Sequence, residues 1–464
     1  MQNSHQKTSS LGAQPRGAFS TSMGALFATI GSAVGLGNIW KFPSLTGENG
    51  GAAFILVYLI STLLVGLPIM IAEISMGRAA RANAIKTLQM LSPGKKSFWW
   101  LIGAMGAIAS FLIMAFYSGV AGWVFAYLPK TLFGSILSTD PEVTTLAFNQ
   151  LVSNPLASLV SQWVVLAFIS VILIRGVSKG IENTTRRLIP LLFILLIIIS
   201  IRSLTLPNAA EGLAFLFTPD FTKLTGQTIL IAVGLAFFKL SIGMGTMITY
   251  GSYYTEDQNI PLSATRAMFS DLFVSLLAGI AIFPAVFAFG FQADVGPSLL
   301  FITIPAVFAS MPFGNFFMVL FFFLTAIAAT GAMLSLVEVP IAFLCEQFKF
   351  SRKKATLMTT GLLAVIGSLA ALSNSTLADV TLFGMTFFEL FDFATSNVFL
   401  PVGGLLIAIF AGWIWGAAKL KDALSNHKKL KNNGVILLFT VLLKFVTPVL
   451  VLIVLLDGLD LLPF

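Results

Sequence analysis

Apolar residues run in long blocks along this chain, separated by short connections that carry most of the charge. A helix needs about 20 consecutive apolar residues to cross the roughly 30 Å of bilayer hydrocarbon. Eleven blocks meet that length: 20–43, 51–77, 98–128, 157–175, 188–205, 227–254, 267–291, 314–346, 355–373, 384–416 and 434–457. The pattern predicts an all-α membrane protein with about 11 transmembrane helices. A further apolar stretch, 298–311, follows Gly296-Pro297 and is too short and Pro-interrupted to span. It is expected to form an extracellular re-entrant loop.

Two blocks are interrupted from within. The first contains Gly31-Ser32-Ala33-Val34-Gly35-Leu36-Gly37-Asn38, and the sixth contains Ser241-Ile242-Gly243-Met244-Gly245. Clustered glycines at mid-membrane favour unwinding, and freed backbone groups are tolerated there only when they face protein, ligand or a water-filled cavity. Close helix packing through small residues is the competing explanation. The breaks fall at matching positions of two successive five-helix groups, the arrangement that marks a transporter site between inverted repeats. The expected organisation is a tail over 1–19, a first repeat over 20–205, a second over 227–416, and a last helix over 434–457.

Charge then sets an orientation. Arg78, Arg81, Lys86, Lys95 and Lys96 share one side with Arg175, Lys179, Arg186, Arg187, the 349–354 segment and the 419–431 segment. The opposite connections hold Asp140, Glu142 and Asp379. By the positive-inside rule the N-terminal tail is cytoplasmic, and it has no apolar core that would mark a cleaved signal peptide.

Composition narrows the classes further. With 57% hydrophobic and 10% charged residues, a water-soluble globular protein is excluded. The formal charge of +8 resides in loops, which argues against nucleic acid as a partner. A single cysteine, Cys345, and two histidines, His5 and His427, leave no internal disulfide and no Cys or His metal site. An intramembrane enzyme would have to rely on carboxylates such as Glu73, Asp271, Glu338 and Asp392, whose spacing suggests structural pairing. No enzyme and no organic cofactor are expected.

The run Gly31 to Pro43, GSAVGLGNIWKFP, followed by Glu48-Asn49-Gly50-Gly51, resembles the first-helix signature of the neurotransmitter:sodium symporters. The likeness continues through Glu73 to Arg78, Tyr117 with Trp123, the FFKLSIGMGTMITYGSY run and GPSLLFITIP, and so covers nearly the whole chain. It implies a bacterial amino acid transporter of the leucine-transporter type in the inner membrane, with helices 1 and 6 broken at mid-membrane. Family members often have a twelfth helix, whereas eleven are counted here; the oligomeric state stays open.

Carried over position by position, the resemblance puts a substrate carboxylate against backbone amides around Leu36 and Gly37 and the Tyr117 hydroxyl. Unpaired N–H groups at a half-helix N-terminus suit an anion. The substrate amino group would face carbonyls of Ala33, Phe238 and Lys239, near Ser241. Gly35 stands where relatives that carry amines without a carboxylate have Asp, which points to an amino acid. Ile113, Phe238, Met244, Ala332 and Leu336 would line an apolar side-chain pocket suited to a neutral aliphatic or aromatic residue. The resemblance also implies an outer gate of Lys41 with Asp392, lysine standing where arginine is usual, and an inner latch of Arg16, Glu346 and Tyr253.

Departures concentrate at the ion positions. The family's first sodium site keeps Asn38 and the Ala33 backbone, but Lys239 replaces a hydroxyl on helix 6. An ammonium cannot ligate Na⁺ yet can stand in its place. An intramembrane lysine costs roughly 2.5–3.5 kcal/mol on insertion scales, and snorkelling is a poor outlet beside a mid-membrane break. For its partner on helix 7, Asp294 and Gln292 are both candidates. The second site keeps the Gly31, Val34 and Ala328 backbone positions, while Gly331 and Ala332 replace paired hydroxyls and Thr330 lies one residue off. Three carbonyls hold Na⁺ poorly unless Thr330 or water completes the shell. Leu235 replaces the halide-site glutamine, although Tyr58 remains, so chloride dependence is not expected.

Transport with weak or no sodium dependence follows, with Lys239 fixed in place or titrating so that protons are coupled. Ordinary sodium symport through a rebuilt second site is the alternative, and a non-transporting amino acid sensor is a third reading.

Overall fold

A computed structural model describes residues 17–94, 97–134, 136–290, 299–459 and 461. Among the described residues, nine helices are long and apolar enough to cross a membrane, and a bent pair makes a tenth span. In chain order, α1 is that pair, Ser22–Ala33 and Gly37–Glu48, with 50° between its halves. Next come α2 (Ala52–Ala80), α3 (Trp100–Leu132), α4 (Pro155–Ile174) and α5 (Val177–Leu204). The sixth, α6, is Gly226–Lys239 followed after a break by Thr246–Gly251. The series ends with α7 (Ile260–Ala288), α8 (Gly314–Gln347), α9 (Arg352–Ala371), α10 (Phe387–Leu424) and α11 (Asn433–Gly458). These eleven elements match the expected count and, within a few residues, most of the expected limits.

Helix α7 starts before the expected 267 and α10 runs past the expected 416. The largest departure is α5, which starts at Val177, so that Lys179, Arg186 and Arg187 lie in a helix rather than in a connection. Hydropathy alone rejects this polar first turn, but Gly176 at φ 87° ends the preceding helix and frees the chain to restart at once. Short helices that apolar length could not reveal also occupy the connections, at Ala84–Leu91, Pro141–Val152 and Ala209–Phe217. The expected re-entrant stretch contains helical residues Leu299–Ala309; its first residue, Ser298, lies outside the described residues, as do Gly296 and Pro297.

Burial ranks the helices. In α8, 78% of the apolar stretch is buried, against 33% in α11, so α8 is central and α11 peripheral. Polar side chains join the elements where hydrocarbon packing alone would leave them free to slide. Glu182, early in α5, accepts from the Ser20 backbone N–H at 2.7 Å and from the Thr21 hydroxyl at 3.0 Å, tying α5 to the start of α1. Buried Arg78 of α2 donates to the Gln258 carbonyl at 2.7 Å, to Asn426 at 3.0 Å and to the Ala423 carbonyl. It thereby holds the connections before α7 and after α10.

Candidate functional site

Both breaks are stereochemically explicit. Helix α1 stops where Val34 turns extended, at φ −87° and ψ 105°, and resumes at Gly37. The α6 break contains Ser241, Gly243 and Gly245 at φ 53°, 79° and 71°. Left-handed backbone is unstrained for glycine but not for serine, and Ser241 is held there by its hydroxyl, which donates to the Ser32 carbonyl at 2.7 Å. One break is thus bonded to the other. The freed Gly243 N–H is satisfied by the Glu73 carboxylate of α2 at 2.7 Å.

Between the breaks lies a cavity of about 20 Å³, lined by Ala33, Gly35, Gly37, Ile113, Tyr117, Phe238, Lys239, Ser241, Met244, Ala332 and Leu336. That volume is on the order of one water molecule, so the surrounding helices sit close together. Every substrate position expected from the sequence borders it except Leu36, whose contribution is its backbone N–H, donated to the Tyr117 hydroxyl at 3.0 Å. Ser32 also lines it and was not anticipated. Its hydroxyl pairs with Ser335 of α8 at 2.8 Å. Serine inside a glycine-rich break was the available signal. Gly35 has little spare room, because a Cβ there would lie 3.0 Å from the Ala332 Cβ and 3.1 Å from the Tyr117 oxygen.

Beside the cavity a buried polar cluster surrounds Lys239. Its ammonium is 3.1 Å from Asp271 of α7, both side chains being fully buried, and it also bonds the Ser275 hydroxyl. The Phe42 and Tyr58 rings lie 4.6 and 4.4 Å from the nitrogen. Asp271 in turn accepts from Asn38 Nδ2 at 2.7 Å and from the Tyr58 hydroxyl at 2.9 Å. Asn38 Oδ1 closes the set by accepting from the Gly35 N–H at 3.0 Å. The helix 7 partner of Lys239 is therefore Asp271, which corrects the expectation of Asp294 or Gln292; both of those lie outside the described residues. A buried lysine takes the nearest anion, and Asp271 stands one helical turn from Ser275 on the face turned to α1 and α6.

These residues do not fit a soluble sodium ion at the first position, since an ammonium already takes up the oxygen shell. At the second position, Gly31, Val34, Ala328, Gly331 and Ala332 are all buried. A Cβ on Gly331 would fall 2.4 Å from the Gly31 carbonyl oxygen, so helices 1 and 8 meet there by direct backbone contact. Thr330 turns its hydroxyl back onto the Ala326 carbonyl at 2.7 Å. Gly331 and Ala332 bring no hydroxyl, so these residues too are a poor match to sodium.

At the outer end Lys41 lies 3.7 Å from Asp392 and 4.5 Å from the centre of the Phe238 ring that borders the cavity. At the inner end, two members of the expected latch, Glu346 and Tyr253, are described. Tyr253 donates to Glu338 at 2.6 Å, and Arg352, at the start of α9, donates to the same buried carboxylate at 2.6 Å. Glu346 accepts from the Asn83 backbone at 2.8 Å and from its side chain at 2.9 Å. Arg16 lies outside the described residues.

Broken helices around a buried cavity, inside a bundle of apolar spans, define a membrane transporter of the inverted-repeat type. The chain belongs to the Sodium:neurotransmitter symporter family, which it matches over residues 16–141 and 143–461. It is 40% identical over 96% of its length, and 98% of the relative's, to the sodium-dependent transporter YhdH of Bacillus subtilis. To a sodium-dependent transporter of Haemophilus influenzae it is 34% identical, over 96% of this chain and 98% of the other. Its fold matches a crystal structure of MhsT in complex with L-phenylalanine, with a TM-score of 0.88 and 40% identity over 96% of this chain and 100% of that one.

Proposed function

We propose that this transporter carries a neutral aliphatic or aromatic amino acid by alternating access, with Lys239 standing where a coupling cation would sit. Two five-helix halves, 20–205 and 227–416, would rock about the cavity, and the N-terminal tail would face the cytoplasm of a bacterium. The observation that carries the reading is the lining of the cavity. It combines the Tyr117 hydroxyl and broken-helix backbone with the apolar side chains of Ile113, Met244, Ala332 and Leu336. The former suit the polar groups of an amino acid, and the latter an uncharged side chain. MhsT, a homologue of closely similar fold, was crystallised with L-phenylalanine, which supports the same substrate class. The bilayer is the other partner, and neither a cofactor nor nucleic acid enters the reading.

The names of the relatives favour a second reading, conventional sodium symport. Uptake of labelled neutral amino acids into proteoliposomes, under a sodium gradient, a proton gradient or none, separates the two. Accumulation that ignores sodium and follows pH, or appears only as exchange, supports the proposal. Sodium-driven accumulation supports symport, and saturable binding without uptake would point to a sensor.

A further inference from the structure

A second concavity, an open groove of about 810 Å³, lies between the start of α3 and α10. Phe98, Trp99, Leu101 and Ile102 line it from the α3 side and Leu406 from α10, and the connection before α3 completes it with Pro93, Gly94 and Ser97. Sites for small molecules typically measure roughly 300–1,000 Å³. Phe98 and Leu101 stand open in the groove, at 78% and 49% exposure. Trp99 packs on Phe410 with ring centres 5.3 Å apart, which joins α3 to α10 at this level.

The chain itself sets the depth of the groove in the membrane. Phe98-Trp99-Trp100 at the start of α3 is the aromatic composition of a membrane–water boundary. The short helix leading to the groove, Ala84–Leu91, buries Ala84, Thr87 and Leu88 and exposes Lys86 and Gln89. On the same side α10 ends in exposed Lys419 and Lys421. Cations on the water side and apolar side chains toward the hydrocarbon repeat the order of groups in an anionic phospholipid. The wall behind the groove also supports the α6 break. One turn beyond Ile102, a Cβ on Gly106 would lie 2.9 Å from the Gly245 nitrogen and 3.0 Å from the Met244 carbonyl carbon, so α3 backbone rests directly on the break, and Met244 borders the cavity.

We propose that this groove holds one acyl chain of an anionic phospholipid, drawn from the leaflet beside the basic connections, and that the bound lipid braces α3 against the broken part of α6. The first test places a benzophenone amino acid at position 98 of the full-length protein, reconstituted in vesicles of phosphatidylethanolamine with phosphatidylglycerol. The protein is then extracted into detergent and irradiated. A held lipid is expected to survive extraction and give one phosphatidylglycerol adduct per chain. The same group at Phe168, a residue of α4 that is 41% exposed, should lose its lipid to the detergent and give none. No adduct at position 98, equal adducts at both positions, adducts that merely follow the vesicle composition, or a cross-link to a second copy of the chain each overturn the proposal.

The second test is the unfolding midpoint of delipidated protein in detergent, titrated with phosphatidylglycerol. The wild type is expected to show a saturable upward shift. Ser97→Trp, which fills the groove, should start from a similar midpoint and show none. Equal shifts in both proteins would mean general stabilisation by lipid and no site. Should Ser97→Trp fail to fold, Leu101→Gln decides in the same way, because it removes apolar surface from the groove at an exposed position. Neither test uses an amino acid, so the lipid site and the proposed function stand or fall separately.

Discussion

The hydroxyl of Tyr117 in α3 accepts a hydrogen bond from the backbone N–H of Leu36 at 3.0 Å, at the point where α1 resumes after its break. A phenol that accepts from an amide still has its own proton to give. The pair therefore presents one donor toward the cavity from a side chain and fixes the start of the second half of α1.

Tyr117→Phe removes that donor and leaves the Leu36 amide without its partner. Hydrogen bonds to charged groups contribute about 1.5–3 kcal/mol, so apparent affinity for a neutral amino acid should fall about tenfold or more. Equilibrium binding of a labelled amino acid to purified protein measures it. An unchanged affinity would remove Tyr117 from the substrate site.

Gly331→Ala tests the backbone contact between α1 and α8. The new methyl would meet the Gly31 carbonyl oxygen at 2.4 Å, and backbone on both sides cannot yield without separating the helices. Overpacking of this kind costs typically about 1–3 kcal/mol, so the unfolding midpoint should drop clearly. Gly234→Ala is the control, because a Cβ there meets nothing within 4 Å. Equal effects from the two substitutions would show that the α1–α8 contact is not tight.

Much of this site is legible in the sequence for a physical reason. Glycine clusters are costly inside a membrane helix, so Gly35 and Gly37 or Gly243 and Gly245 announce breaks, and the residues around two breaks must meet. Side-chain pairing across helices is less legible. Asp271 is an acid in an apolar run four residues before Ser275, which marks it as buried, but nothing local says which cation it answers. Glu338 and Arg352 belong to different helices across a short connection, and hydropathy reads the arginine as loop because the first turn of α9 is polar. The shift of α5 to Val177 has the same origin.

Lys41 and Asp392 should matter less to affinity than their position over the cavity suggests. They are 3.7 Å apart and about one-third exposed, at 31% and 36%, so water and salt screen them. Such pairs are worth roughly 0–1 kcal/mol. Lys41→Ala is expected to weaken amino acid binding by less than about fivefold, with the difference shrinking further in concentrated choline chloride. Lys41→Arg, which supplies a planar fork to the carboxylate, should restore or tighten binding. A loss of a hundredfold in Lys41→Ala would instead make the pair a principal element of closure.

The Glu338–Arg352 pair belongs to the opposite case. Glu338 is fully buried and receives both the Arg352 guanidinium and the Tyr253 hydroxyl, each at 2.6 Å, and Arg352 also donates to the Leu173 carbonyl of α4 at 2.8 Å. Removing one member of such a pair strands the other charge in a low-dielectric interior and typically costs about 3–5 kcal/mol, far more than the net value of the pair itself. Arg352→Met should therefore lower the unfolding midpoint strongly, whereas Arg352→Met combined with Glu338→Gln should recover much of the loss. Tyr253→Phe, which leaves the ion pair intact, should cost only about 1 kcal/mol. The ordering of the three unfolding midpoints carries the argument: a double variant as unstable as the single one would mean that Arg352 acts through its bond to α4 and not through the charge on Glu338.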